Sequence, residues 1–230
     1  MENNILNSKK PLKKKILTPD FCVIGAGSEG LSFAAGASQL GACVVLLENK
    51  KMGGDCLNSG CVPSKSLLAA AKIGHTLKES SIFGWHFKEI GVDFKKVHAH
   101  VHSVIDAIAP NDSVERFEKL GVKVILEEGV FVNQHMVETK THYIKAKRFI
   151  IATGSTAFIP SIEGLNDIPY YTNDSIFNLK TLPEHLVILG AGPIGIEMAQ
   201  AFCRLGSKVT VLEAFSALPK DDPEMATPLK

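Results

Sequence analysis

The sequence contains no apolar run approaching the roughly 18 residues that a membrane-spanning helix requires. It also lacks a charge excess: 25 basic side chains face 24 acidic ones, for a net +1. That balance removes the electrostatic case for nucleic acid as a partner. Cysteine is scarce, with five residues, an odd number that argues against a secreted disulfide scaffold. The opening MENNILNSKKPLKKKILTPD has no apolar stretch of the roughly 7–15 residues a signal peptide needs. It is Lys-rich rather than Arg- and Ser-rich, carries Glu2, and is broken by Pro11 and Pro19, unlike a transit peptide. It is expected to be a solvated, disordered basic tail over residues 1–20, and the protein is expected to be cytoplasmic. The rest is ordinary for a globular chain, 45% apolar and 21% charged. At this length about 70% of the unfolded surface can be buried without staples.

What the sequence does contain is one device written twice. FCVIGAGSEGLSFAAGASQLGACVVLLEN begins at Phe21, and LVILGAGPIGIEMAQAFCRLGSKVTVLEA begins at Leu186. They align without a gap at an offset of 165 (190 − 25), pairing Gly25, Gly27, Gly30, Gly41 and Glu48 with Gly190, Gly192, Gly195, Gly206 and Glu213. Each copy supplies the parts of a βαβ dinucleotide site. An apolar strand (22–24; 187–189) precedes the turn, as a buried parallel strand should. The first glycine permits the tight turn, the second lets backbone approach a pyrophosphate, and the third lets helix pack on strand. The pyrophosphate then meets the helix N-terminus, where N–H groups and the dipole favour negative charge. The helices carry Leu31, Ala34, Ala35 and Leu40 in one copy and Ile196, Ala199, Phe202 and Leu205 in the other. A second strand (44–47; 209–212) ends in a glutamate placed to accept from ribose hydroxyls. Two copies imply two dinucleotides. Glu213, followed by the cation-free AFSALP with Lys220 only later, favours NAD(H) over NADP(H).

Eight residues past Glu48, GGDCLNSGCVPSK (53–65) places Cys56 and Cys61 in a polar loop entering a helix. At a helix start, N–H groups and dipole favour a thiolate. A zinc site would want four ligands, and no second Cys or His pair is suitably arranged. A structural disulfide is out of place in a cytosolic chain. Two inert buried thiols suit so polar a loop poorly, and a redox-active pair suits it best.

Together GAGSEG, GGDCLNSGCVPSK, IIATGS (150–155) and GAGPIGIE resemble the flavoprotein disulfide reductases of the pyridine-nucleotide type. That family includes dihydrolipoamide dehydrogenase, glutathione reductase and mercuric reductase. GGDCLNSGCVPSK and NDSVERFEKLGV (111–122) are most similar to its mercuric-reductase-like and dihydrolipoamide-dehydrogenase-like branch. The resemblance implies that Gly25, Gly27, Gly30 and Glu48 hold FAD, with Gly54 in the same contact set. It implies that Gly129 presents backbone to the adenine end and that Thr153, Gly154 and Ser155 close the FAD site. Gly190, Gly192, Gly195 and Glu213 would hold the nicotinamide dinucleotide. Lys65 would approach the flavin ring and pair with Glu197. A disulfide between Cys56 and Cys61 would be the redox centre, Cys61 lying against the flavin and Cys56 meeting substrate. Electrons would run from NADH through the flavin to Cys61 and leave through Cys56, toward a small-molecule disulfide or a metal ion. Members of the family are homodimers, and they are longer.

The expected fold class is α/β: two Rossmann-like βαβ units, FAD then NAD, with an antiparallel β-meander over 121–149. The expected boundaries are a tail at 1–20, an FAD-binding domain at 21–157 and an incomplete NAD(P)-binding domain at 158–230. The chain is thus expected to represent the N-terminal half of such an enzyme, inactive by itself, with a non-catalytic FAD-binding module as the alternative. No metal site is expected. VHAHVH (97–102) reads as an amphipathic helix with its histidines on a solvated face. Cys22, Cys43 and Cys203 read as small buried hydrophobes, and Trp85 as a packing residue.

Overall fold

The computed structural model describes residues 14–88, 91–218 and 220–227. In chain order the elements are β1 (Lys15–Leu17), β2 (Phe21–Ile24), α1 (Ser28–Gln39), β3 (Val44–Leu47), α2 (Gly54–Asn58), α3 (Cys61–Glu79), α4 (Phe94–Ile108), α5 (Val114–Lys119), β4 (Lys123–Ile125), β5 (Val130–Asn133), β6 (Met136–Glu138), β7 (His142–Ile144), β8 (Arg148–Ile151), β9 (His185–Leu189), α6 (Pro193–Leu205), β10 (Lys208–Leu212) and α7 (Pro223–Ala226). They fall into two compact units: residues up to Gly54 with Asn111–Gly154, and Asp55–Pro110 with Ser155 onward. The chain passes between the units after Gly54, Pro110 and Gly154. The helical segment 55–110, expected with the first domain, clusters with the second.

The first unit is built on a parallel sheet in the order β4-β3-β2-β8. β3 shows why it sits inside: VVLL is buried at every position, as a strand covered on both faces must be. Val44 and Leu46 join Val23, Leu31, Ala34 and Phe117 on one face. Val45 and Leu47 join Cys22, Ile125, Val137 and Ile144 on the other. The second face is covered by a small sheet, β1-β7-β6-β5. Its β5–β6 and β6–β7 pairs are antiparallel, the expected meander, but shorter than 121–149. β4 and β8, at the two ends of that range, belong to the parallel sheet instead.

The expected disordered tail holds a strand in its described part. β1 runs parallel to β7, with Lys15 N–H donating to Thr141 O at 3.0 Å and Lys145 N–H to Leu17 O at 2.8 Å. Besides the backbone bonds, Leu17 packs on the core and Lys14 is held by side-chain contacts. Lys14 pairs with Glu138, donates to Thr139 O at 2.7 Å, and lies 5.2 Å from the Tyr143 ring centre. Residues 1–13 of the expected tail lie outside the described residues.

The second unit packs α3, α4 and α6 with a two-stranded parallel sheet, β10-β9. α6 opens at Gly192 with Pro193 in its first turn and closes on Gly206 at φ +113°. α4 opens at Asp93, whose side chain accepts from Lys96 N–H. Its apolar stripe, Phe94, Val97, Val101 and Ile105, packs with Leu67, Ala71, Ala201 and Phe202. Among the described residues no helix is long and apolar enough to cross a membrane.

Several burial expectations are corrected, first that of β9, expected buried, in which Val187 is 50% and Leu189 45% exposed. Cys22 is fully buried, but Cys43 and Cys203 are exposed. Cys43 precedes β3 rather than lying within it, and Cys203 sits on the outer side of α6. Leu40 is 90% exposed because α1 stops at Gln39. Trp85 is 66% exposed, in the stretch that follows the turn at Gly84.

Candidate functional site

The two glycine turns are copies in geometry as well as in sequence. Gly25 and Gly190 adopt φ +107° and +105°, and each donates N–H to the last residue of the neighbouring strand, Leu47 O and Leu212 O, at 2.8 Å. A Cβ on Gly30 would stand 1.9 Å from Gly25 O, and one on Gly195 would stand 2.2 Å from Gly190 O. The first and third glycines are therefore dictated by the chain's own backbone. Gly25 has a further reason: its Cβ would fall 2.1 Å from Ala152 O. Ala152 N–H donates to Ile24 O at 2.9 Å, which holds the end of β8 and Thr153 beside the turn.

The middle glycines are different. Gly27 (φ −80°) and Gly192 (φ −75°) have extended backbones open to any residue. A Cβ on Gly192 would meet nothing within 4 Å, and one on Gly27 would meet only Gly54 Cα, at 3.9 Å. Nothing in the protein's packing requires glycine there. Each vacant Cβ position lies at the N-terminus of a helix of 12 or 13 residues, where unpaired N–H groups favour an anion. The residues present fit a dinucleotide pyrophosphate.

At the end of the second strand of each copy, the acid is tied to its own turn. Glu48, 9% exposed, accepts from Ala26 N–H and from Lys50 N–H, both at 2.7 Å. Glu213 accepts from Ala191 N–H at 2.8 Å and Phe215 N–H at 3.1 Å. The Ala191 N–H, followed by those of Phe215 and Ala214, holds the Glu213 carboxyl below the ordinary glutamate range. Its folded value being lowered, its stabilising contribution is complete above that ordinary range and is lost as pH falls through the folded value. The expectation named ribose as partner of these acids. It did not foresee the backbone bonds.

The cysteine pair lies on a helix–turn–helix. Cys56 is half-buried in α2, and Cys61, exposed, is the first residue of the 19-residue α3. Between them Ser59 N–H donates to Asp55 O at 2.8 Å, and the buried Ser59 hydroxyl donates to Asp174 Oδ1 at 3.2 Å. Gly60 is required there, since a Cβ would stand 2.9 Å from Asp55 O. Cys56 and Cys61 are five positions apart, one on each helix. Each thiol belongs to its own helix, with the Ser59–Gly60 break between them. Burial pushes the Cys22 thiol up to about 12, which makes it inert.

Gly54, two residues before Cys56, has φ +54°, and a Cβ on it would be 2.6 Å from Gly27 Cα. Gly53 N–H also donates to Ala26 O at 2.9 Å. Gly54 is thus glycine because the first turn's backbone lies against it. Gly129 is glycine because a Cβ would meet Leu47 Cδ1 at 2.7 Å and Val137 Cγ1 at 2.9 Å. Thr153, Gly154 and Ser155 are exposed after β8, with Gly154 at φ +67°.

The expected Lys65–Glu197 pair forms, Nζ to Oε1 at 2.5 Å, with side chains 63% and 33% exposed. So open an ion pair contributes little to folding. Lys65→Ala is expected to change the unfolding free energy by less than about 1 kcal/mol in a urea titration. His98 and His102 are half-buried rather than solvated: their ring centres are 4.3 Å apart and His102 Nε2 lies 3.1 Å from Phe177 O. Among the described residues no group of three or more His, Cys, Asp or Glu is placed to hold a metal.

The pyridine nucleotide-disulphide oxidoreductase family model matches residues 19–230. A mercuric reductase of Bacillus cereus is 37% identical over 208 residues, 90% of this chain and 33% of the relative. A dihydrolipoyl dehydrogenase of Acholeplasma laidlawii is 35% identical over 204 residues, 86% of this chain and 60% of the relative. A solved structure, the Cu(II) complex of the HOCl-induced flavoprotein disulfide reductase RclA from Escherichia coli, is similar with a TM-score of 0.77 and 30% identity. The likeness covers 91% of this chain and 45% of that one. The chain therefore spans between a third and three fifths of the length of these relatives. Carrying both glycine turns and the cysteine pair inside the matched range, it belongs to the pyridine nucleotide-disulphide oxidoreductase family.

Proposed function

We propose that this chain binds FAD at the Gly25–Gly30 turn and NAD(H) at the Gly190–Gly195 turn, and that Cys56 and Cys61 are the redox pair of a flavoprotein disulfide oxidoreductase. The observation that carries the reading is the vacant Cβ position at both Gly27 and Gly192. Each is the one glycine of its turn that the fold does not need. Bound FAD supplies the chemistry of accepting a hydride equivalent from a reduced nicotinamide and passing on its electron pair.

The chain's own residues do the rest. Two electrons and two protons convert a Cys56–Cys61 disulfide into two thiols. The Cys56 thiolate then attacks a substrate disulfide, releases one substrate thiol and forms a mixed disulfide. Cys61 resolves it, releasing the second thiol and restoring the pair. The assignment of Cys61 as the first acceptor and Cys56 as the exchanging thiol follows the family resemblance. By the family resemblance, Thr153, Gly154 and Ser155, and Gly129 with Gly54, complete the FAD-binding set, and Lys65 with Glu197 contributes at the flavin. NAD(H) is preferred because Glu213 stands where a 2′-phosphate would be repelled, and 214–218 hold no cation. The substrate is a small-molecule disulfide or a metal ion, and the full-length form of the enzyme works as a homodimer in the cytoplasm.

The test is direct. The purified protein is titrated with FAD by flavin fluorescence, then assayed with NADH or NADPH against lipoamide, oxidised glutathione and mercuric ion. Saturable FAD binding and a higher specificity constant with NADH support the reading. Absence of FAD binding contradicts it.

A further inference from the structure

Each glycine turn is fastened by a carboxylate 22 residues further along the chain, and the fastening is the same twice. Ala26 and Lys50 donate to Glu48; Ala191 and Phe215, at the same offset of 165, donate to Glu213. In both copies one oxygen takes the N–H between the first two glycines, and the other takes the N–H two residues past the acid. Ala26 and Ala191 are buried as whole residues, backbone included, so their N–H groups depend on a protein partner. A ribose hydroxyl could reach only the lone pairs these bonds leave over.

We propose that Glu48 and Glu213 are positioning residues that brace the two glycine turns in the absence of any nucleotide. Neither acid can then be exchanged to alter ribose selectivity without loosening the turn itself. The second statement rests on the reading of these turns as dinucleotide sites; the first does not. Both carboxylate oxygens are required. A glutamine of the same shape offers one acceptor and turns an NH2 toward the other backbone N–H, so it breaks half of the brace. A ribose hydroxyl, which both donates and accepts, would tolerate the same glutamine.

The experiment is amide hydrogen exchange by NMR on the purified, nucleotide-free protein. Glu213→Gln is expected to speed exchange at Ala191 and Phe215 roughly tenfold or more, the worth of one charge-assisted hydrogen bond. Glu48→Gln is expected to do the same at Ala26 and Lys50. Unchanged exchange at these amides would overturn the brace. Should a variant fail to fold, the wild-type protein decides. The Ala191 and Phe215 amide shifts are expected to titrate together with the Glu213 side-chain carboxyl, and independent behaviour would overturn the proposal.

NADH binding is measured alongside, with an analogue lacking both hydroxyls of the adenosine ribose. A brace predicts that Glu213→Gln weakens NADH and the analogue by the same factor. A loss confined to NADH would assign Glu213 to the ribose alone and overturn the proposal. If wild-type protein binds no NADH, the dinucleotide reading of the second turn fails, while the exchange data still decide the brace.

Discussion

Gly27→Ala is expected to weaken FAD binding roughly tenfold to hundredfold while changing the stability of the fold by less than about 1 kcal/mol. A methyl group at position 27 meets only Gly54 Cα at 3.9 Å, and its backbone at φ −80° suits alanine. Alanine at such a site commonly adds about 0.4–1 kcal/mol by restricting the unfolded chain. The same methyl would occupy the space into which a pyrophosphate must come, at a cost in affinity on the order of tenfold to hundredfold. The neighbouring glycines should behave in the opposite way. Gly25→Ala forces φ +107° on alanine and drives a Cβ to 2.1 Å from Ala152 O; Gly30→Ala drives one to 1.9 Å from Gly25 O. Each should cost about 3 kcal/mol or more, a Tm loss on the order of 10 °C. Thermal unfolding and flavin fluorescence on the three variants separate the two effects. Equal destabilisation by all three would make Gly27 a packing residue.

The second large effect belongs to the thiols. In the complete enzyme, Cys56→Ser and Cys61→Ser are each expected to lower nicotinamide-dependent disulfide reduction roughly a thousandfold or more, because a hydroxyl neither forms nor resolves a mixed disulfide. FAD binding and Tm should be unaffected, since Cys61 is exposed and Cys56 half-buried. Cys43→Ser and Cys203→Ser, at exposed positions outside both turns, should retain full activity. Loss of activity in either control would move the redox centre elsewhere.

The turns were readable because glycine spacing and the strand–helix–strand order around them are local features. Gly25 and Gly30 are explained by atoms a few residues away or at the neighbouring strand end. The contact of Gly54 with Gly27 was hidden, because two glycines 27 residues apart carry no side-chain pattern that points from one to the other. The double glycine at 53 and 54 was the one available sign. The bracing role of Glu48 and Glu213 was equally hidden. An acid at a strand end reads as a ribose ligand, and its bonds to backbone N–H groups depend on the turn being folded beside it.

Local reading also failed where one position of phase decides burial. Leu40 lies one residue beyond α1, and Cys43 one residue before β3. Strand β1 was unreadable for another reason. Three residues carry too little alternation to show period two, and its lysine-rich flank looks solvated until Glu138 and Tyr143 are folded next to Lys14. Helical periodicity from Val97 onward pointed to a helix there, but not to the face of α4 that His98 and His102 share with Phe177.

The central claim is that Cys56 and Cys61 form one redox couple, and peptide mapping tests it most directly. Trypsin, cutting after Lys51 and Lys65, releases both cysteines in a single peptide. Protein equilibrated in an oxidising glutathione buffer, thiol-blocked and digested, should yield this peptide unblocked and two hydrogens lighter than its dithiol form. The reducing buffer should yield it blocked at both cysteines, with Cys22, Cys43 and Cys203 unlinked throughout. Two blocked thiols at positions 56 and 61 under oxidising conditions, or a bond from either one to another cysteine, would contradict the account.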